Sequence, residues 1–131
     1  MPLPAGADDA DYAGVFDALF EPVVRQFAPQ AIFVSAGQDI HRSDPLGEMR
    51  VTEAGFAQMA LRCVRLAQEL CEGRLAFVLE GGYDRVASAR AVEAVLRAVA
   101  DERAPEVSGG TERAAAAVAR AREVQAAYWD L

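Results

Sequence analysis

The chain has 131 residues, of which 53% are hydrophobic and 25% charged, with a net charge of −7 from 13 basic and 20 acidic residues. These values fit one globular domain, and no apolar run approaches the roughly 20 residues that a membrane span requires. The acidic residues are dispersed and no basic stripe exists, so we expect neither direct nucleic-acid binding nor a membrane contact. We expect a cytoplasmic location, because the first residues lack the charged and apolar regions of a secretion signal.

A helical pattern follows an irregular lead-in over residues 2–10, which is rich in Pro, Gly and Asp. Asp11 is in a position to cap the helix. Apolar residues recur at helical spacing from Tyr12 to Phe27. Pro22 interrupts this pattern, so the sequence predicts a kinked helix or two abutting helices.

Two short apolar runs, at about residues 31–36 and 74–80, predict buried β-strands because each is closed by glycine. Helical patterns follow them at about 52–72, where Thr52 is the expected N-cap, and at 84–100. This alternation favours an α/β fold with a parallel sheet and helices on both faces. Two strands do not make such a sheet stable alone, so more strands come from elsewhere or the chain pairs with itself.

The C-terminal residues differ in composition from the rest. Residues 101–111 contain Pro105 and the pair Gly109-Gly110 and predict a linker. Residues 112–131 predict a helical tail rich in Ala and Arg, which offers little apolar area to bury and could pack loosely, dimerise or fray. We therefore divide the chain into a main segment over residues 1–100, this linker and this tail.

The two cysteines, Cys63 and Cys71, lie eight residues apart within one predicted helix. This spacing is neither that of a C-x-x-C redox pair nor that of a zinc knuckle. We expect both side chains to be small hydrophobic core residues in a reducing compartment.

Two polar side chains follow the predicted strands. Asp39 comes just after Ser35-Ala36-Gly37, and Tyr83 comes just after Gly81-Gly82. The carboxyl ends of parallel strands meet at one edge of a sheet, where ligands bind, so we expect these two side chains to face one site. The structural alternatives are a turn or cap carboxylate for Asp39 and a half-buried aromatic ring for Tyr83.

Other polar residues of these loops have structural interpretations. Ser35 is not a nucleophile elbow, because Phe33 stands where that motif needs a glycine. Asp44 is expected to fix its own loop by accepting backbone hydrogen bonds. The pair Gly81-Gly82 is too short for a phosphate-binding loop.

Three motifs together resemble the C-terminal part of the zinc-dependent histone deacetylase superfamily: Ser35-Ala36-Gly37-x-Asp39, Asp44-Pro45-Leu46-Gly47 and Leu79-Glu80-Gly81-Gly82-Tyr83. The type that they resemble most is class II-like and includes acetylpolyamine amidohydrolases and acetoin-utilisation proteins. The lead-in Pro2-Leu3-Pro4-Ala5-Gly6 matches as well. The resemblance covers residues 2–100 and does not include the tail.

The resemblance implies part of an arginase-like α/β fold and the hydrolysis of an acetylated amine at a zinc ion. By motif position, Asp39 resembles a zinc-ligating carboxylate and Tyr83 the Tyr that stabilises the oxyanion. Leu46 resembles the apolar residue that lines the acyl-lysine tunnel. Gly81 and Gly82 resemble the turn that positions the Tyr and borders the substrate.

Some residues depart from the family pattern. Gln38 stands where the family usually has an aromatic residue, and Ile40 where it usually has Ala. Asp39-Ile40-His41 is itself an Asp-x-His, but the family places its own Asp-x-His ligands and its paired histidines upstream, and no segment here matches them. We therefore interpret His41 as a structural or rim residue and not as a ligand.

The sequence thus predicts the C-terminal portion of a deacetylase for acetyl-lysine or acetylpolyamine. It would bind zinc and act only with an N-terminal deacetylase half, from the same gene product or from a separate chain. The rival hypothesis is a truncated, non-catalytic remnant or an interaction module that self-associates through exposed sheet edges. A third possibility is a metal site built from Asp39 and His41 at a dimer interface.

Overall fold

The structure is a computed structural model that describes residues 1–107 and 111–131. The glycine pair Gly109-Gly110 of the expected linker lies outside these ranges. Within them, no helix is both long enough and apolar enough to cross a membrane. The elements in chain order are α1 (Asp9–Val15), a π-helical segment (Phe16–Phe20), α2 (Glu21–Phe27), β1 (Ile32–Gly37), α3 (Glu53–Cys71), β2 (Leu75–Glu80), α4 (Arg85–Asp101) and α5 (Glu112–Gln125).

The two strands form a parallel sheet, which confirms the α/β class. Ile32 lies opposite Leu75 at one end of the pair, and Gly37 lies opposite Glu80 at the other. Because both strands run in the same direction, the loops that follow β1 and β2 leave the sheet at the same edge. That edge carries Asp39 and Tyr83.

The first helix begins earlier than the sequence predicted, and its cap is Asp8 instead of Asp11. The Asp8 carboxylate accepts hydrogen bonds from the backbone N–H groups of Ala10 and Asp11, each at 3.1 Å. The Asp11 carboxylate in turn accepts from the Asp8 N–H at 3.0 Å. The two residues form a reciprocal capping box, because Asp8 is still extended while Asp11 already occupies the third helical position.

The break in this helical region lies upstream of Pro22, in the π-helical segment. Pro22 falls in the first turn of α2, directly after that segment. The π-helical segment and the start of α2 are held to α3 by Arg62, whose guanidinium bonds to Asp17 at 2.5 Å and to Glu21 at 2.7 Å. The sequence predicted two abutting helices or a kink, and the structure joins α1 to α2 through a wider turn.

Helix α3 is the centre of the packing. Thr52 is its N-cap, as predicted, and the Thr52 side chain and N–H both bond to the Asp9 carboxylate, at 2.6 Å and 2.7 Å. Its apolar face packs against α4, where Phe56 and Val51 form a buried cluster with Ala91. The start of α1, the loop before α3 and the α3–α4 pair are therefore one unit.

The sheet is unevenly covered in the described part of the chain. Val34 and Phe77, which pair in register, lie on the side of α3, whereas Phe33 is 76% exposed and Val78 is 52% exposed on the other face. Large apolar side chains in this position normally lie against another element. This sheet leaves apolar surface open.

The tail packs on the first helices. The Thr111 N–H donates to the buried Asp11 carboxylate at 2.6 Å, and Ala114 and Ala117 of α5 are buried. Near the C-terminus the Gln26 side chain makes two hydrogen bonds to the Asp130 backbone, at 2.7 Å and 2.9 Å. Contacts at both ends of the tail therefore compensate for its small apolar area.

Both thiols are free and buried, and we expect them to be protected from alkylation in the native protein. Burial, and to a lesser extent the negative charge of Glu21, raises the pKa of the Cys63 thiol to about 11. At pH 8 this leaves about one Cys63 in a thousand as the reactive thiolate. Timed labelling with iodoacetamide should modify neither cysteine in the native protein and both cysteines in the protein unfolded by guanidinium. Rapid native labelling of Cys63 would contradict the packing of α3.

Candidate functional site

Asp39 lies in a space that two glycines leave open. A Cβ atom built on Gly37 would lie 2.9 Å from one Asp39 carboxylate oxygen, and a Cβ on Gly81 would lie 2.6 Å from the other. Any larger residue at either position would displace this side chain. The ends of β1 and β2 therefore enclose the Asp39 carboxylate between them.

The carboxylate of Asp39 accepts no hydrogen bond from a residue in the described ranges. Its lone pairs are not used by a turn or a cap, which were the structural alternatives for this residue. Carboxylate oxygens with free lone pairs are suitable ligands for a zinc ion.

The turn before Tyr83 is built from two glycines with positive φ angles, +32° at Gly81 and +112° at Gly82. Side chains are strained in this region, so glycine is the residue that suits both positions. The turn also lies close to the first loop. A Cβ on Gly82 would lie 2.7 Å from the Gln38 Cβ, and the Gln38 N–H donates to the Gly81 carbonyl at 3.3 Å.

Asp44 joins the two loops. One of its carboxylate oxygens accepts from the backbone N–H groups of Leu46 at 2.9 Å and Gly47 at 3.0 Å, within its own loop. The other oxygen accepts from the Tyr83 N–H at 2.6 Å, across the gap to the second loop. The sequence predicted the first pair of bonds but not the third.

Backbone hydrogen bonds stabilise the charged form of Asp44. Burial raises the pKa of its carboxyl, but hydrogen bonds from the Tyr83, Leu46, Gly47 and Asp84 backbones outweigh it, so the pKa lies below its usual range. Asp44 is therefore ionised at neutral pH, and its hydrogen bonds are charge-assisted.

Leu46 and Tyr83 project from these loops into solvent. Leu46 is 70% exposed and Tyr83 is 59% exposed, although both donate backbone N–H groups to the same buried carboxylate. Both side chains are therefore accessible to a ligand or a partner. The roles assigned to them from the sequence remain predictions.

His41 is turned into the protein. The Ser43 N–H donates to its Nδ1 at 3.0 Å, and the ring stacks on Phe56 with 6.1 Å between centroids. Its Nε2 lies 3.7 Å from the Glu53 carboxylate and is buried without a hydrogen bond. A hydrogen bond from its own backbone N–H and the neighbouring His41 lower the pKa of the Glu53 carboxyl, although burial acts in the opposite direction. This packing agrees with the structural interpretation of His41.

The described residues hold no complete metal site. In residues 1–107 and 111–131, no three His, Cys, Asp or Glu side chains lie close enough to bind an ion together. Zinc sites in proteins generally use three or more protein ligands. Asp39 alone supplies fewer ligands than such a site uses.

Two residues near the site were given no role from the sequence, where Gln38 was noted only as a departure from the family pattern. Gln38 is buried, and its side-chain oxygen has no hydrogen-bond partner in the described ranges, although its amide donates to the Ala36 carbonyl at 3.0 Å. Tyr12 of α1 has a raised pKa, mainly from burial and also from the Asp39 charge. Sequence spacing indicated only that Tyr12 begins a helical pattern, because it belongs to an element remote from Asp39 in the chain.

The fold and this site define an α/β protein with a carboxylate and a Tyr at the carboxyl ends of adjacent parallel strands. The sequence model described as the histone deacetylase domain matches residues 1–99. The chain therefore belongs to the histone deacetylase family, as the motifs predicted.

Individual relatives agree. The chain is 49% identical over 83 residues to a "Probable deacetylase" of Archaeoglobus fulgidus, covering 63% of this chain and 23% of that protein. It is 35% identical over 127 residues to "Polyamine deacetylase HDAC10" of Homo sapiens, covering 95% of this chain and 18% of that protein. This second alignment extends beyond residue 101, where the sequence resemblance was expected to end.

A solved structure confirms the partial fold. The crystal structure of the HDA15 HD domain matches with a TM-score of 0.83 and 28% identity, covering 96% of this chain and 33% of that one. The chain thus spans about a fifth of the length of the two curated relatives and a third of the solved domain.

Proposed function

We propose that this chain is the C-terminal portion of a zinc-dependent deacetylase that hydrolyses acetylated amines, with acetyl-lysine and acetylpolyamine as the candidate substrates. In this proposal Asp39 supplies one zinc carboxylate and Tyr83 stabilises the oxyanion. The observation that carries it is the joining of the two strand-end loops, with Asp39 between Gly37 and Gly81 and Tyr83 held to Asp44. Membership of the deacetylase family supports the chemistry.

Asp39 fits a zinc-ligand role on chemical grounds. Its carboxylate has no competing hydrogen-bond donor among the described residues, and the two flanking glycines leave room beside it. A bound zinc ion would supply Lewis-acid polarisation of the acetyl carbonyl and a more acidic water. The role of Asp39 would be to help to bind that ion.

Tyr83 fits the oxyanion role through its hydroxyl. The side chain is exposed at the edge that carries Asp39, and its backbone N–H is fixed to Asp44 at 2.6 Å. A phenol O–H that is already oriented donates to the carbonyl oxygen as negative charge develops on it, without reorganisation of solvent. Leu46, anchored to the same carboxylate, would contact the acyl chain or the carbon stem of the amine.

The remaining ligands and the catalytic histidines would come from an N-terminal deacetylase portion, in the same polypeptide or in a separate chain. An apolar groove of about 880 Å³ runs along β1 and is lined by Phe16 and Phe20 of the π-helical segment and by Phe33. The β1 edge that borders it pairs with no other strand in the described ranges. Backbone groups at such an edge can pair with an incoming strand.

A self-associating, non-catalytic module is the second candidate. The observation that favours it is the same open surface, above all the exposure of Phe33 and Val78. In this case a second copy of the chain, and not a deacetylase portion, would cover that surface. The two candidates differ in zinc binding and in turnover.

The first test is zinc content. We expect the isolated chain to retain no stoichiometric zinc after exhaustive buffer exchange, because Asp39 alone does not hold the ion. Elemental analysis would compare the wild type with Asp39→Ala and His41→Ala. Zinc that is present in the wild type and lost in both variants would contradict the proposal and favour a site at a dimer interface.

The second test is reconstruction of the whole domain. In the chimera, this entire chain replaces the matching segment of the Archaeoglobus fulgidus protein, and the tail is kept because α5 packs on α1. We expect the chimera to bind one zinc per chain and to release acetate from an acetyl-lysine peptide or from an acetylpolyamine. A folded chimera without zinc, compared with a zinc-loaded unmodified host, would support the non-catalytic module instead.

A further inference from the structure

We propose that Asp44 is a positioning residue that sets the spacing between Tyr83 and Leu46 at the catalytic edge. This inference rests on the proposed function, and it assigns to Asp44 a task beyond stabilising its own loop. Asp44 would not touch the substrate. It would act on the reaction through the backbone of Tyr83.

The geometry carries this inference. Asp44 accepts hydrogen bonds of 3.0 Å or less from the N–H groups of Leu46, Gly47 and Tyr83, and the two exposed side chains of this set lie on different loops. Asp44 itself is only 8% exposed, and its own N–H donates to the His41 carbonyl at 2.9 Å. One buried carboxylate therefore fixes the two loops relative to each other.

Tyr83 has need of such an anchor. It follows Gly81 and Gly82, the two residues of this segment with the greatest conformational freedom. After it, Asp84 caps α4 through hydrogen bonds from Val86 and Ala87, at 3.0 Å and 2.8 Å. The bond from Tyr83 to Asp44 is thus the contact that links this residue to the first loop.

The chemistry of the side chain separates the two tasks. In Asp44→Asn, an oxygen can still accept from Leu46 and Gly47, which keeps the turn of the first loop. The amide NH₂ then faces the Tyr83 N–H, and two donors do not bond. In Asp44→Ala, the turn and the link are both lost. The pair of variants therefore distinguishes loop stability from the position of Tyr83.

The first measurement uses the 131-residue chain and needs no activity. Amide hydrogen exchange at Tyr83 should become roughly tenfold faster in Asp44→Asn, whereas Leu46 and Gly47 should keep their protection. In Asp44→Ala, exchange should become faster at all three of these amides. Asp84→Asn is the matched control, because its amide oxygen can still accept from Val86 and Ala87, so exchange at Tyr83 and at these two amides should stay unchanged. Unchanged exchange at Tyr83 in Asp44→Asn would overturn the proposal.

The second measurement uses the chimera. Asp44→Asn should lower kcat roughly tenfold, with less effect on KM and with zinc content and Tm close to those of the parent. An unchanged kcat together with faster Tyr83 exchange would overturn the positioning role and leave the proposed function intact. Failure of the proposed function itself would be seen differently, as a parent chimera with neither zinc nor turnover while the exchange results still stand.

Discussion

Replacing Asp39 by Asn in the chimera should strongly weaken zinc binding and, with it, deacetylation. Asn has nearly the size of Asp and fits between Gly37 and Gly81, but it lacks the negatively charged carboxylate that binds zinc. Loss of a residue that merely orients a ligand costs about 10- to 100-fold in metal affinity. We therefore expect direct loss of a ligand to cost at least about 100-fold, measured by competition with a zinc chelator.

Asp101→Asn is the matched control for this variant. Asp101 is the exposed last residue of α4, and its substitution removes the same charge from the chain without changing the site. Its zinc affinity should equal that of the parent chimera. Normal zinc affinity in Asp39→Asn would eliminate Asp39 as a ligand.

Replacing Tyr83 by Phe should abolish most turnover and leave zinc in place. The substitution removes one hydroxyl and keeps the ring and the backbone link to Asp44. Removal of one oxyanion donor typically lowers kcat by about 100- to 1,000-fold. We expect a loss in this range for the chimera, with an unchanged ratio of zinc to protein.

Tyr128→Phe gives the matching control, because Tyr128 lies exposed in the C-terminal tail, far along the chain from the strand ends. It should show the parent kcat. If Tyr83→Phe also kept the parent kcat, another group would stabilise the oxyanion. If it lost zinc, Tyr83 would have a structural role at the metal and not the one proposed here.

Local patterns were sufficient to predict the central elements of the fold. Both strands begin and end within one residue of their predicted bounds, and Thr52 and Asp84 cap the helices that they were expected to begin. Strand periodicity and capping depend on neighbours within a few residues, so they can be identified in a single sequence. The family motifs have the same local character.

The start of the first helix shows where local patterns are insufficient. Asp8 and Asp11 both have the chemistry of a cap, and composition does not rank them. Contacts with residues that are distant in the chain decide which of the two caps the helix. The Gly6 N–H donates to the Glu48 carbonyl at 2.8 Å, and the Arg50 N–H donates to the Ala7 carbonyl at 2.8 Å, which holds the lead-in against the loop before α3 up to Asp8.

The candidate site divides in the same way. The sequence by itself determined the residue types at the strand ends, because a strand, a glycine turn and the residue that follows are contiguous. Tertiary structure alone decided that Asp44 bonds to Tyr83, 39 positions away, and that His41 turns towards Phe56. The physical reason is that both contacts depend on the parallel pairing of β1 with β2 and on the docking of α3, which bring together residues that no short-range pattern connects.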